Sequence, residues 1–101
     1  MTRVLALALL PWPAAAQDVA TVSYTCDRGA RIEATYLNTD QGSWAVVTVE
    51  GRQVAFAVAE SASGARYLAV DPGLPYVWWT KGDTATLYAG ETPLVENCAA
   101  S

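Results

Sequence analysis

The chain has no histidine among its 101 residues. With it goes the usual general base at neutral pH and one of the two main side-chain ligands of zinc sites. The only cysteines, Cys26 and Cys98, lie far apart, so the close spacing of a zinc site is missing too. There is no glycine-rich phosphate loop and no dinucleotide fingerprint. Acidic residues are scattered over different expected strands and turns, which leaves no convincing two-carboxylate site. The one combination with nucleophilic potential is Ser63 with Lys81, but both fall in expected loops or strand ends, where a lysine keeps its proton. These absences argue against an enzyme and against any metal or other cofactor. Positive charge is also short, with six Lys and Arg against ten Asp and Glu. Nucleic acid and anionic membrane surfaces, which need a basic footprint, are disfavoured as partners.

What is present begins with a leader-like segment. Arg3, an apolar run from Val4 to Leu10, the breaker Pro11-Trp12-Pro13 and the small residues Ala14-Ala15-Ala16 have the layout of a secretory signal peptide with an Ala-x-Ala cleavage site. The run is far shorter than the roughly 20 residues that span a bilayer, and no cysteine stands at the cleavage point to carry a lipid. Residues 1–16 are therefore expected to be a signal peptide and 17–101 a single periplasmic domain, with no membrane anchor expected in the mature chain. That domain of about 85 residues would bury only about 60% of its unfolded surface, which is marginal without reinforcement. Export puts Cys26 and Cys98 where a disulfide persists. Pairing them closes a loop of about 72 residues, for which chain entropy supplies roughly 4 kcal/mol. Loss of Arg3 leaves five basic residues against ten acidic ones. A basic protein partner would be attracted to such a domain.

The mature chain reads as strands throughout. Val22, Tyr24 and Cys26 alternate with Thr21, Ser23 and Thr25, and Ile32, Ala34 and Tyr36 with Arg31, Glu33 and Thr35. Asp27-Arg28-Gly29 is a turn between them, and Asn38 to Gly42 breaks the second strand. Trp44 to Val49 and Gln53 to Val58 form a hairpin across Glu50-Gly51, with Val54, Phe56 and Val58 on one face. After the polar loop Glu60 to Gly64 come Arg66 to Val70, then Tyr76 to Lys81, then Thr84 to Tyr88 beyond a Gly82-Asp83 turn, and a last short segment from Pro93 to Cys98. Seven or eight short strands without a helical period predict an all-β fold, an antiparallel sheet closed into a small barrel. Closure would hide the strand edges.

Two stretches stand apart. Tyr76-Val77-Trp78-Trp79-Thr80-Lys81-Gly82 sets two tryptophans beside the only lysine. Period two puts Tyr76, Trp78 and Thr80 on one side of the strand and Val77, Trp79 and Lys81 on the other, so one tryptophan is expected inside and its neighbour partly exposed. Upstream, Ser63-Gly64-Ala65-Arg66-Tyr67 begins with a small polar residue and a glycine that lets backbone approach a partner closely. On residues alone, packing explains the first stretch as well as binding does, and a plain loop explains Ser63-Gly64 better.

Together the two stretches match Ser-Gly-x-x-Tyr and Tyr-x-x-x-Thr-Lys-Gly in full, and the chain resembles the MliC/PliC family of inhibitors of c-type lysozyme. The resemblance covers essentially the whole mature chain and includes Cys26 and Cys98 as the family's disulfide pair. It implies an eight-stranded antiparallel barrel that blocks the lysozyme cleft. Ser63 and Lys81 would reach the catalytic carboxylates, while Gly64, Tyr67, Tyr76 and Thr80 shape or support the edge. The lipid-bearing cysteine of membrane-bound members is absent, which resembles the soluble periplasmic branch. A barrel that binds glycan or a small ligand without inhibiting anything is the rival expectation.

Overall fold

The computed structural model describes residues 18–101, so the expected signal peptide, residues 1–16, lies outside the described residues. Eight strands follow one another: β1 (Asp18–Thr25), β2 (Arg31–Thr39), β3 (Gly42–Val49), β4 (Arg52–Ala59), β5 (Ala65–Ala69), β6 (Tyr76–Lys81), β7 (Thr84–Ala89) and β8 (Thr92–Ala100). Each pairs antiparallel with the next, and β8 returns to β1 to close the barrel. A 3-10 turn, Asp27–Gly29, lies between β1 and β2.

Short turns hold the register. Glu50 and Gly51 both have positive φ, 51° and 79°, the primed geometry whose twist matches the strands it joins. At the β2–β3 tip the strands run further than the breaker residues suggest. Thr39 Oγ1 accepts from the Gln41 amide at 3.0 Å and donates to the Gly42 carbonyl at 3.2 Å, so pairing continues out to Thr39 and Gly42.

The alternation of the sequence becomes inside and outside. Ile32, Ala34, Ala45, Val47, Val54, Phe56, Trp78, Ala85 and Leu87 line the interior. Val58 keeps the face of Val54 and Phe56, opposite the buried Tyr67, yet is 44% exposed. It lies one residue from the end of β4 and beyond the last pair with β3, Trp44↔Ala57.

The last strand is longer than the short segment read from sequence. It runs two residues past Cys98, and those two close the barrel through Tyr24↔Ala100 and Thr25↔Ala99. By contrast, β1 and β2 share eight pairs. The Cys26–Cys98 disulfide stands directly beside this narrow seam. A covalent tie there stabilises the closure that hydrogen bonding supports least. Ser101 adds to it, donating through its amide to the Ser23 carbonyl at 2.9 Å.

Trp78, fully buried, brings an indole N–H that needs a partner. It donates to the Tyr36 hydroxyl at 2.9 Å, which in turn bonds the Tyr24 hydroxyl at 2.6 Å. The Tyr24 ring meets Trp78 edge-on at 5.3 Å, and Tyr67 lies 5.8 Å from Tyr36. Burial pushes the phenol of Tyr36 well above its ordinary value of 10.0, and those of Tyr24 and Tyr67 upward too. All three are thus neutral hydrogen-bonding groups at physiological pH.

Candidate functional site

The rim at the end of β6 gathers both sequence motifs. Ala65 opens β5 opposite Thr80, which sets the Ser63-Gly64 step beside Thr80 and Lys81. Contact there is close. A Cβ added to Gly64 would meet the Thr80 carbonyl oxygen and, at 2.7 Å, the Cγ of Lys81. Gly64 also has φ +68°, a conformation that side chains with a Cβ rarely adopt. Glycine is required here twice over, by backbone geometry and by space.

Hydrogen bonds tie the same two segments. The Ser63 carbonyl accepts from Trp79 Nε1 at 3.1 Å and from Ser61 Oγ at 2.6 Å. Thr80 Oγ1 donates to the Ala65 carbonyl at 3.3 Å. On the other side of Lys81, Thr84 Oγ1 donates to the Lys81 carbonyl at 2.9 Å across the Gly82-Asp83 turn. Lys81 therefore leaves the barrel from a backbone pinned on both flanks, with its side chain exposed.

The six residues expected to form the binding edge divide by position. Ser63, Gly64, Thr80 and Lys81 meet at the rim. Tyr67 is buried inside the wall, paired with Trp78, and Tyr76 begins β6 at its opposite end. Five residue steps along the strand separate Tyr76 from Lys81, about 17 Å at the usual rise. Both tyrosines pack with the core that carries the rim.

Outside the barrel, the neighbouring wall carries side chains that the two motifs do not name. Arg66, Trp79 and Thr86 form one row across β5, β6 and β7. The Arg66 guanidinium stands 5.8 Å from the Trp79 ring centre, and the Tyr88 ring is tilted against Trp79 at 6.3 Å. Trp79, Tyr88, Arg66 and Lys81, together with Glu60 and Glu91, line an open groove of about 610 Å³. Period two already put Trp79 on the face of Lys81. The partners Arg66 and Tyr88 depend on strand register, which single-strand patterns do not carry. Among the described residues no three or more carboxylate or thiol groups gather as a metal site needs.

Comparison with known proteins agrees with this architecture. The profile of the family described as membrane-bound lysozyme inhibitor of c-type lysozyme, MliC, matches residues 24–95. A membrane-bound lysozyme inhibitor of C-type lysozyme from Pseudomonas aeruginosa is 43% identical over 72 residues, which cover 70% of this chain and 54% of that protein. One from Cupriavidus necator is 38% identical over 88 residues, 82% of this chain and 67% of the relative. The chain thus spans about half the length of the Pseudomonas relative and two thirds of the other. Among solved structures, the periplasmic inhibitor PliC of Salmonella typhimurium superposes with a TM-score of 0.77 at 30% identity, covering 83% of this chain and 99% of that one. Pseudomonas aeruginosa MliC, crystallised in complex with hen egg white lysozyme, gives 0.72 at 35% identity over 92% of each chain.

Proposed function

This chain belongs to the MliC family, and we propose that it inhibits c-type lysozyme by blocking the active-site cleft with Ser63 and Lys81. The observation that carries the reading is the junction at Gly64, whose bare Cα lets the Ser63 loop lie against the Thr80 carbonyl and the stem of Lys81. Two motifs distant in sequence thereby present one hydroxyl and one ammonium from a single rim. The matching Pseudomonas protein forms a complex with a c-type lysozyme, which supports the choice of partner. Residues 1–16 would be removed as a leader, leaving the 17–101 domain in the periplasm. In this role the protein stops a catalyst and is not one itself.

The chemistry fits a plug. Lysozyme works with two carboxyl groups, and an ammonium about 4 Å from one of them gains about 4 kcal/mol at an effective dielectric of about 20. Desolvating the charges offsets much of that gain. Net affinity then depends on how firmly the rim holds its shape, which is why the pinned backbone around Lys81 matters. The surplus of acidic residues favours encounter with a basic enzyme and makes the association rate salt-dependent.

Lys81→Ala should cost roughly 2–5 kcal/mol of binding, since it leaves carboxylates buried without a partner. Its effect on thermal stability should stay within about 0.5 kcal/mol, as for other exposed positions. Inhibition of a c-type lysozyme by the purified domain reads the first quantity, and unchanged inhibition by the variant would overturn the mechanism. A second reading, a barrel that binds glycan, is favoured by the Trp79 and Tyr88 rings in the outer groove, because aromatic faces with a few polar groups suit sugar rings. Co-elution with peptidoglycan fragments and not with lysozyme would decide for it.

A further inference from the structure

The geometry points to Trp79 as a positioning residue that locks the Ser63-Gly64 loop onto β6 and so holds the blocking rim ready before any partner arrives. This inference rests on the inhibitory reading, but its structural half can be tested without lysozyme. Trp79 occupies one of the unspecified places in Tyr-x-x-x-Thr-Lys-Gly, so neither motif gives it a task. The structure does.

Its indole faces outward from β6, yet its Nε1–H donates back to the Ser63 carbonyl at 3.1 Å. The ring cannot swing freely away from that bond. Arg66 stands over it at 5.8 Å and Tyr88 is tilted against it at 6.3 Å, so neighbours on β5 and β7 hold the donor in place. The same carbonyl accepts from Ser61 Oγ at 2.6 Å, which makes it the point where the loop is tied both to the wall and to itself. Gly64 then follows with its Cα against the Thr80 carbonyl. A loop with these restraints has already lost much of the freedom that a flexible one would give up on binding. Trp79 acts through Ser63 and needs no contact with the partner.

The decisive experiment is a double-mutant cycle between Trp79→Phe and Ser63→Ala, read as inhibition of a c-type lysozyme by the purified domain. Phenylalanine keeps an aromatic ring on the wall and removes the N–H. Loss of one such bond should weaken inhibition about 3- to 10-fold in the wild-type background. In the Ser63→Ala background the same change should cost less than about 2-fold, because the hydroxyl it positions is already gone. Costs that multiply in full would mean that Trp79 meets the partner directly, and the proposal would fail. NMR order parameters of the Ser63 and Gly64 amides in the free domain supply the independent readout, and Trp79→Phe should lower both while the melting temperature holds. If wild type failed to inhibit any c-type lysozyme but the order parameters still fell, the inhibitory reading would be lost and the clamp kept. Unchanged order parameters would dismiss the clamp. Trp79→Leu, a second replacement that removes the N–H from the partly exposed outer wall, should loosen the same two amides, so the question remains answerable even if Trp79→Phe folds poorly.

Discussion

Trp78 and Trp79 are adjacent in the chain and face opposite sides of β6. Trp78 is fully buried, edge-on to Tyr24 and bonded through its N–H to Tyr36. Trp79 lies half-exposed on the outer wall, with its N–H turned to the Ser63 carbonyl. Both donors are satisfied, but one bond lies inside the core and the other joins a wall to a loop. Since side chains alternate along a strand, six residues can support the barrel with one face and shape its rim with the other. Stability and binding should therefore separate on mutation, according to which face is changed.

The largest effect belongs inside. Trp78→Ala should lower unfolding free energy by about 3–5 kcal/mol, through the cavity it leaves and the hydrogen bond it removes. Denaturant titration of the isolated domain measures this, and a loss as small as that expected for Lys81→Ala would erase the distinction between the two faces. Gly64→Ala comes next and sits on the boundary. Its positive φ and the crowding from Thr80 should cost about 2–3 kcal/mol of stability, or else displace the loop and weaken inhibition instead. Full stability together with full inhibition would show that the close approach at Gly64 is unimportant.

A smaller change sharpens the account of the interior. Tyr36→Phe leaves the Trp78 N–H without its acceptor and should cost about 1–2 kcal/mol, with little effect on inhibition. The last prediction concerns pH. Burial raises the phenols of Tyr24, Tyr36 and Tyr67 above 10.0 in the folded state. The unfolded chain then releases those protons first, so each phenol's contribution is fully present below about pH 10 and is lost as pH rises toward the folded value. Stability should be flat through neutral pH and then fall by up to about 1.4 kcal/mol per pH unit for each phenol. Denaturant melts across the alkaline range test this, and a slope that begins well below pH 10 would point to other groups.

Much of the architecture was legible because period two and turn chemistry are local. The limits of β6, the Glu50-Gly51 hairpin and the shared face of Val54 and Phe56 all follow from neighbours within a few residues. Pairing of Cys26 with Cys98 followed from there being only two cysteines and from expected export. The end of the chain was read less well. Nothing in the residues after Cys98 signals that Ala99 and Ala100 complete the barrel, since small exposed residues at a terminus carry no pattern and acquire their role only when β1 lies alongside. Val58 keeps its expected face but is exposed, because alternation states which way a side chain points and not how far the neighbouring strands extend around it.

For the site the division is similar. The sequence by itself determined the chemical groups, a lone lysine at a strand end and a serine before a glycine, and it determined that Trp79 shares a face with Lys81. Tertiary structure decided that Ser63 and Lys81 line one groove, that Gly64 is small enough for its loop to lie against Thr80 and Lys81, and that Tyr67 is buried and Tyr76 stands at the other end of β6 from Lys81. It also set Arg66 and Tyr88 around Trp79. The physical reason is register: side-chain direction repeats every two residues within a strand, whereas which residue of the next strand lies opposite is fixed only when the whole sheet closes on itself.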